Sequence, residues 1–330
     1  MTYSSRVVTF ENSRFCSISV CYDETVLTYL RSTSAKPSIA AIKSSQTGSW
    51  VRCERPTEDE IRDLLQLGLD EDIVTDSLDP HEVPRVEVED NWTYFITRVP
   101  DIGDDFNDFT TPMMVALSPQ YVVTISRDTL GRLWQPFIDK TSVSTGERAT
   151  MFILMMETIA RSYQNRVAHI NRQMRAATGN VVSLRSADIA VITEYERKLN
   201  DYLDALIPTN TAVERLLGGK LLKLSEDDKD LVEDLSIDLE QVIARCKSLL
   251  RTITNVRDSY RAVMDTRLNE TIRLLTVITL ALTIPTMLAG LFGMNVILPE
   301  GSDSPLTFWV IVGISVLFAG TLSIYFLRKR

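Results

Sequence analysis

Apolar and polar positions follow three different patterns along these 330 residues, and each pattern predicts a different kind of structure. In roughly the first 140 residues, short runs rich in Val, Ile, Tyr and Phe are bounded by Pro, Gly or Asp, which is how strands are written. Such runs cover 14–20, 49–53, 86–99, 113–117 and 121–126. Between them, Thr57-Glu58-Asp59-Glu60 has the spacing of a capping box and predicts a helix through Leu67, with Gly68 as its stop. The mixture predicts an α/β or α+β domain over residues 1–145.

After Gly146 the pattern changes: Pro and Gly nearly vanish and apolar residues recur every three or four positions. This spacing predicts helices over 147–178 and 181–207, separated by Gly179-Asn180, closed by Pro208 and packed as an antiparallel hairpin. From Lys220 to Ile284, 65 residues contain neither Gly nor Pro. Ser225 with Asp228 three positions on supplies an N-cap, and nothing need stop the helix before Pro285. At 1.5 Å per residue, a helix from Ser225 to Phe292 is on the order of 100 Å long, several bilayer thicknesses. Leu231, Leu235, Leu239, Val242, Leu249, Ile253 and Val256 fall at spacings of three, four and seven, so one face is built to pack on other helices. Hairpin and stalk together are placed at 146–270.

The third pattern is an absence of charge. Residues 274–299 and 304–327 carry no ionisable side chain, giving stretches of 26 and 24 residues. Roughly 20 helical residues cross the ~30 Å hydrocarbon core of a bilayer, so each is long enough to span it. The predicted spans are 271–295 and 306–327, joined by an external loop 296–305 and followed by a basic tail 328–330. Arg267 and Arg273 precede the first span and Arg328, Lys329 and Arg330 follow the second, whereas the connection holds only Glu300 and Asp303. The positive-inside rule then puts both flanks in the cytoplasm, and the N-terminus with them, in a multi-pass protein of the inner or plasma membrane.

Charge and composition narrow the function. The chain carries a net −9; residues 268–330 hold four basic and three acidic side chains, which leaves −10 on residues 1–267. That balance disfavours a nucleic-acid partner. The first twenty residues lack a basic segment followed by an apolar core, so no secretory signal is expected. Four cysteines without CxxC spacing read as free cytosolic thiols. No Gly-x-x-x-x-Gly-Lys-Ser/Thr segment is present, so no nucleotide is expected, and no nucleophile–base spacing marks an enzyme.

In the first span Asn269, Thr276, Thr279, Thr283 and Thr286, with Gly290 continuing the series, lie near one helix face. Thr and Gly in a membrane helix serve close packing or a polar wall along a pore. The wall requires an oligomer, since two spans cannot enclose a pore. Residues 274–299 and 304–327 hold no Asp, Glu, His, Lys or Arg, which argues against a proton relay or a carboxylate ion site. Hydroxyls, carbonyls and one amide suit a hydrated cation, and Mg²⁺ gives up its water reluctantly.

Gly293-Met294-Asn295 ends the first span. Alone, the tripeptide is as readily a helix-end turn. At the outer end of the first of two C-terminal spans, behind a long helix and before a short acidic loop and a basic tail, it resembles the CorA family of divalent-cation transporters. Trp50-Val51 with Pro56-Thr57-Glu58-Asp59-Glu60-Ile61 is similar to the family's N-terminal strand and helix. His81-Glu82-Val83-Pro84-Arg85-Val86-Glu87 resembles its His-x-Arg-Pro-Lys-Val-Glu segment, and Asn269 falls where the family has an Asn at the cytoplasmic pore mouth. Phe292 stands where the family usually has Tyr, and Thr283 where it often has a bulky apolar residue, which shifts the expected constriction to Ile272 and Leu275.

The resemblance implies a funnel-shaped homopentamer: an α/β cytoplasmic domain, a long stalk helix continuing into an inner ring of first spans, and an outer ring of second spans. Five Asn295 side chains would hold a hydrated cation at the outer mouth, with Gly293 and Met294 shaping the backbone of that filter, and Glu300 would stand in the external loop. Residues 226–240 hold eight acids and one base, which by itself is an ordinary solvated helix face. The resemblance places a regulatory Mg²⁺ between Asp234, with Asp238 one turn on, and Asp76 of a neighbouring subunit. The function so implied is channel-type influx of Mg²⁺, with Co²⁺ or Ni²⁺ as further cargo, down its electrochemical gradient and gated by cytoplasmic Mg²⁺. A zinc transporter of the same fold and a membrane-anchored cation sensor or scaffold are the alternatives.

Overall fold

The computed structural model describes residues 26–33, 36–100, 109–140, 144–179, 184–218, 221–294 and 305–328. The predicted strand at 14–20, Asn295 and Glu300 lie outside them. In chain order the elements are strands β1 (Val26–Thr33), β2 (Lys36–Ile42) and β3 (Ser49–Glu54), helices α1 (Glu58–Leu65) and α2 (Glu71–Asp76), strands β4 (Arg85–Glu89), β5 (Trp92–Pro100), β6 (Thr110–Leu117) and β7 (Tyr121–Ser126), then helices α3 (Gly131–Lys140), α4 (Arg148–Thr178), α5 (Ser186–Leu216), α6 (Glu226–Phe292) and α7 (Pro305–Arg328).

The strands form one sheet in the order β2-β1-β3-β7-β6-β5-β4, antiparallel throughout except for the parallel pair β3–β7. Side chains alternate across a strand, so each face of this sheet has its own core. On one face Val51, Cys53, Tyr94, Ile96, Met114, Ala116, Val123 and Ile125 meet Leu64 of α1 and Ile73 and Val74 of α2. On the other, Phe95 packs edge-on to Phe152 of α4 at 5.0 Å between ring centres. Trp50 meets Trp134 and Phe137 of α3 there at 5.5 and 5.9 Å. Burial on both faces is why β6 is apolar without interruption from Pro112 to Leu117.

The run 86–99, read from sequence as one strand, is a hairpin. Asp90 adopts φ 50 and the chain reverses so that Glu89 pairs with Trp92. Asp and Asn tolerate this left-handed conformation, and Asp90-Asn91 is the turn. The capping box of α1 forms as expected: Thr57 accepts from the Glu60 amide, and Glu60 accepts from the Thr57 amide at 2.8 Å. Gly68 follows at φ +90.

Pro208 does not close a helix, because α5 starts at Ser186 and runs through it to Leu216. Proline there removes the bond to the carbonyl of Asp204, which lies on the exposed side where water replaces it. The buried side continues with Ala205, Leu206 and Thr209, whose hydroxyl donates to the Ala205 carbonyl and pairs with Thr97 of β5 at 3.0 Å. Packing outweighs one lost backbone bond.

Helix α6 is continuous over 67 residues with Pro285 inside it. Its start is a reciprocal cap: Ser225 donates through its amide and hydroxyl to Asp228, whose amide donates back to the Ser225 hydroxyl at 3.1 Å. Thr150 of α4 donates to the other oxygen of Asp228 at 2.8 Å. Burial pushes the Asp228 carboxyl up, but the bonds from Ser225 and Thr150 outweigh it and hold the group below its ordinary value. The chain divides into two compact units, Met1–Arg166 with Asp201–Ala244 and Val167–Asn200 with Arg245–Arg330. In the second unit Arg257 of α6 pairs with Glu196 of α5 at 2.8 Å.

Candidate cation pathway and cytoplasmic carboxylates

Beyond Ile253, the one buried residue of α6 among those described is Val277, and in α7 it is Ser315. Leu274, Leu275, Leu282 and Met287 of α6 and Leu306, Phe308, Trp309 and Leu317 of α7 stand exposed. So much uncovered apolar surface on a helix pair needs a lipid or protein cover. Among the described residues α6 is long and apolar enough to cross a membrane, and α7 contributes a shorter apolar stretch, Phe308–Thr321.

The polar series of the first span lies on α6 and is exposed throughout: Asn269, Thr276, Thr279, Thr283, Thr286 and Gly290. Each threonine hydroxyl donates to the carbonyl four residues back, at Ile272, Leu275, Thr279 and Leu282, over 2.7–2.8 Å. The proton is thereby held by the helix and the oxygen lone pairs remain outward. Such a row accepts hydrogen bonds from the water shell of a cation. Ile272 and Leu275, the expected constriction, are likewise exposed toward the N-terminal end of the series.

At the C-terminal end of α6 the Gly293 amide donates to the Ala289 carbonyl at 3.0 Å, and a Cβ added to Gly293 would stand 3.1 Å from that same oxygen. A side chain at this position would need the Ala289 carbonyl to give by a few tenths of an ångström. Asn295 itself lies outside the described residues.

In the first unit, α2 carries Asp76, and its position is fixed from both ends. The Asp70 carboxylate caps the Ile73 amide at 3.0 Å, while the Asp70 amide donates to the Tyr94 hydroxyl of β5 at 2.9 Å. Asp76 accepts from the Arg85 Nη2 at 2.9 Å. The same guanidinium also pairs with Glu82 and Glu87. The loop before β4 is held in turn by Arg98, which donates to the carbonyls of Pro80 and Glu82 at 2.7 and 3.2 Å.

Asp234 and Asp238 lie exposed on α6, where both raise the carboxyl of Glu157 on α4. Burial is the larger cause of that rise, and Arg161 opposes it. Sequence reasoning overlooked Glu157 and the fork of Arg85; the signal for the second was the Asp76-to-Glu87 alternation of acids around a single Arg. Among the described residues of one chain, no three His, Cys, Asp or Glu side chains form a group able to hold a metal. Of the four cysteines, Cys53 and Cys246 are free and buried, and burial pushes both thiols up to about 12, which leaves them inert as ligands.

A raised carboxyl in the native state makes folding take up a proton. Stability attributable to Glu157 therefore falls as pH rises from the ordinary carboxylate range through its raised value, and stays low above it. Glu157→Gln is expected to remove that part of the pH dependence, so that melting temperatures at pH 5 and pH 8 lie closer together than in wild type. An unchanged gap would show that the Glu157 carboxyl is not raised in the folded protein.

Residues 45–330 match the family model described as CorA-like Mg2+ transporter protein. The chain belongs to the CorA family. This is a family of transporters rather than enzymes. The curated cobalt/magnesium transport protein CorA of Methanocaldococcus jannaschii is 23% identical over 287 residues, covering 85% of this chain and 90% of the relative. The complete structure of the CorA magnesium transporter of the same organism superposes with a TM-score of 0.80 at 20% identity, over 93% of this chain and 99% of that one. The full-length CmaX protein superposes with a TM-score of 0.72 at 16% identity, with the same coverage. The fold is thus that of the full-length CorA proteins, membrane segment included.

Proposed function

We propose that this CorA-family chain assembles as a homopentamer and conducts hydrated Mg²⁺, with Co²⁺ and Ni²⁺ as further cargo, into the cytoplasm down its electrochemical gradient. The observation that carries this reading is the row of threonine oxygens on one exposed, uncharged face of α6, leading to the Gly293-Met294 helix end. A helix that only anchors a domain uses such threonines for close packing alone, so that substituting Asn295 would then change nothing about ions. The names of the relatives in Methanocaldococcus jannaschii support the choice of cargo.

In this reading residues 1–270 are cytoplasmic, 271–295 and 306–327 span the membrane, and both termini face the cytoplasm. The first spans ring the pore with Asn269, Ile272, Leu275, Thr276, Thr279, Thr283, Thr286 and Gly290. Asn295 forms the outer filter, presented by Gly293 and Met294, and Glu300 stands beside it. Asp234, with Asp238, meets Asp76 of the next subunit around a regulatory Mg²⁺, since facing carboxylates repel unless a cation lies between them. High cytoplasmic Mg²⁺ then holds the subunits together and the pore shut.

The test is influx into proteoliposomes holding the full-length protein and a divalent-sensitive dye, with Mg²⁺, Co²⁺, Ni²⁺ or Zn²⁺ outside. Mg²⁺ influx that declines as internal Mg²⁺ is raised, and declines less in Asp234→Ala, is the expected result. Zn²⁺ influx without Mg²⁺ influx would make the cargo zinc. No flux of any cation would leave a sensor or scaffold.

A further inference from the structure

Asp76 is read above as one side of an intersubunit cation site, yet within its own chain it already has a cation. The guanidinium of Arg85 uses all three of its nitrogens on carboxylates: Nη2 on Asp76 at 2.9 Å, Nη1 on Glu82 and Nε on Glu87. Arg85 is about two-thirds buried, at 31% side-chain exposure, and Glu82 at 15% is more so, whereas Asp76 at 54% is open to solvent. The fork is therefore anchored on its Glu82 side and reaches Asp76 at its free edge. One positive charge among three negative ones leaves the cluster attractive to a further cation.

Both elements that position the pair are rigid. Helix α2 is tied to β5 through Asp70 and Tyr94, and Arg85 opens β4, opposite Ile96 of β5. The separation of Asp76 from Arg85 is thus set by the sheet rather than by loop motion.

We propose that Arg85 is a built-in competitor of the divalent cation at Asp76, so that its guanidinium sets the cytoplasmic concentration at which that cation acts. This rests on the regulatory role assigned to Asp76 under the proposed function. A divalent ion that binds the Asp76 carboxylate either displaces the guanidinium from Oδ2 or takes Oδ1 beside it, against its positive charge. The ion's apparent affinity is lowered by the strength of that bond, an intramolecular coupling of the kind that links any two ligands for one group. A partly exposed ion pair of this kind is worth at most about a factor of five in an equilibrium constant. Arg85 is a positioning residue here, since it acts through Asp76 and touches no transported ion.

The experiment measures Mg²⁺ influx into proteoliposomes across a series of internal Mg²⁺ concentrations, for full-length wild type, Arg85→Gln, Arg85→Lys, Asp76→Asn and the Asp76→Asn/Arg85→Gln double variant. Arg85→Gln is expected to move the midpoint of inhibition about five-fold to lower Mg²⁺ without changing influx at zero internal Mg²⁺. Arg85→Lys keeps the charge but loses the fork, and is expected to move it part of the way. In the Asp76→Asn background Arg85→Gln should have no further effect. A midpoint that stays put or rises in Arg85→Gln, while Asp76→Asn weakens inhibition, would overturn the competitor role and leave Asp76 regulatory. Inhibition unaffected by Asp76→Asn would instead remove the regulatory reading itself, and the competitor with it. If Arg85→Gln fails to fold, the direction of the Arg85→Lys shift decides.

Discussion

Asn295→Ala is expected to cut Mg²⁺ influx by roughly ten- to a hundred-fold while the oligomer remains intact, because each hydrogen bond lost to a charged group is worth about 1.5–3 kcal/mol. No ionisable side chain lies in 274–299, so the amide of Asn295 is the strongest acceptor the outer end of this span has to offer. A hydrated Mg²⁺ presents water hydrogens rather than bare charge, and amide oxygens receive them without stripping the shell. Alanine changes only the side chain at position 295 and leaves Gly293, where a Cβ would come within 3.1 Å of the Ala289 carbonyl, untouched. The variant therefore tests the side chain and not the bend. Size-exclusion of the solubilised protein checks assembly, and dye-reported influx checks conduction. Influx unchanged in an intact oligomer would mean that ions do not pass Asn295, and that the threonine row serves helix packing.

The threonine row and the length of α6 were legible because a helix repeats: 3.6 residues per turn turn a spacing of threes and fours into one face, and sixty-five positions without Gly or Pro leave no place to stop. The strands β3, β6 and β7 were legible by composition, as short runs rich in Val, Ile, Met, Trp and Tyr, whereas their burial on both faces was not read. Strands β1 and β2 went unread: they lie at one sheet edge, β2 being outermost, and mix Thr, Ser, Arg and Lys with their apolar residues, so their pairing is dictated by β3 rather than by composition. Pro208 misled because the cost of a proline depends on which side of the helix its lost bond falls. That is a tertiary fact.

The same limit applies to the carboxylates. Asp76, Asp234 and Asp238 could be picked out by resemblance and by charge density, but which cation or carboxylate faces each is decided by packing. Arg85 is nine residues from Asp76 in sequence and 2.9 Å from it in space, brought there by the turn between α2 and β4. Glu157 is far from the acidic run in sequence, and only the packing of α4 beside α6 sets it against Asp234 and Asp238. Local pattern gives a helix its face; it does not say what the face meets.

Trp50→Ala is expected to have the largest effect on stability, removing about 3–5 kcal/mol, the cost of truncating a fully buried aromatic side chain. Trp50 is wholly inaccessible to solvent and lies on β3, the strand that makes both the parallel pairing with β7 and the antiparallel pairing with β1. Its indole fills the space between the sheet and α3, edge-on to Trp134 and Phe137, which also meet each other at 5.8 Å. Its Nε1 donates to the Thr124 hydroxyl of β7 at 2.9 Å, so alanine also strands a buried hydroxyl, although that group can turn to a backbone acceptor. Since domains of this size are stable by about 5–15 kcal/mol, the loss takes a large share of the whole. The melting temperature of the solubilised full-length protein should fall by about 10 °C or more. Trp50→Phe keeps most of the ring contact and loses the bond, and should fall by about a third as much. The proposed pore is built from α6, so influx per correctly assembled oligomer should stay near wild type in both variants while the yield of such oligomers drops. A Trp50→Ala protein that melted within a degree or two of wild type would mean that the α3 side of the sheet contributes little to holding the domain together.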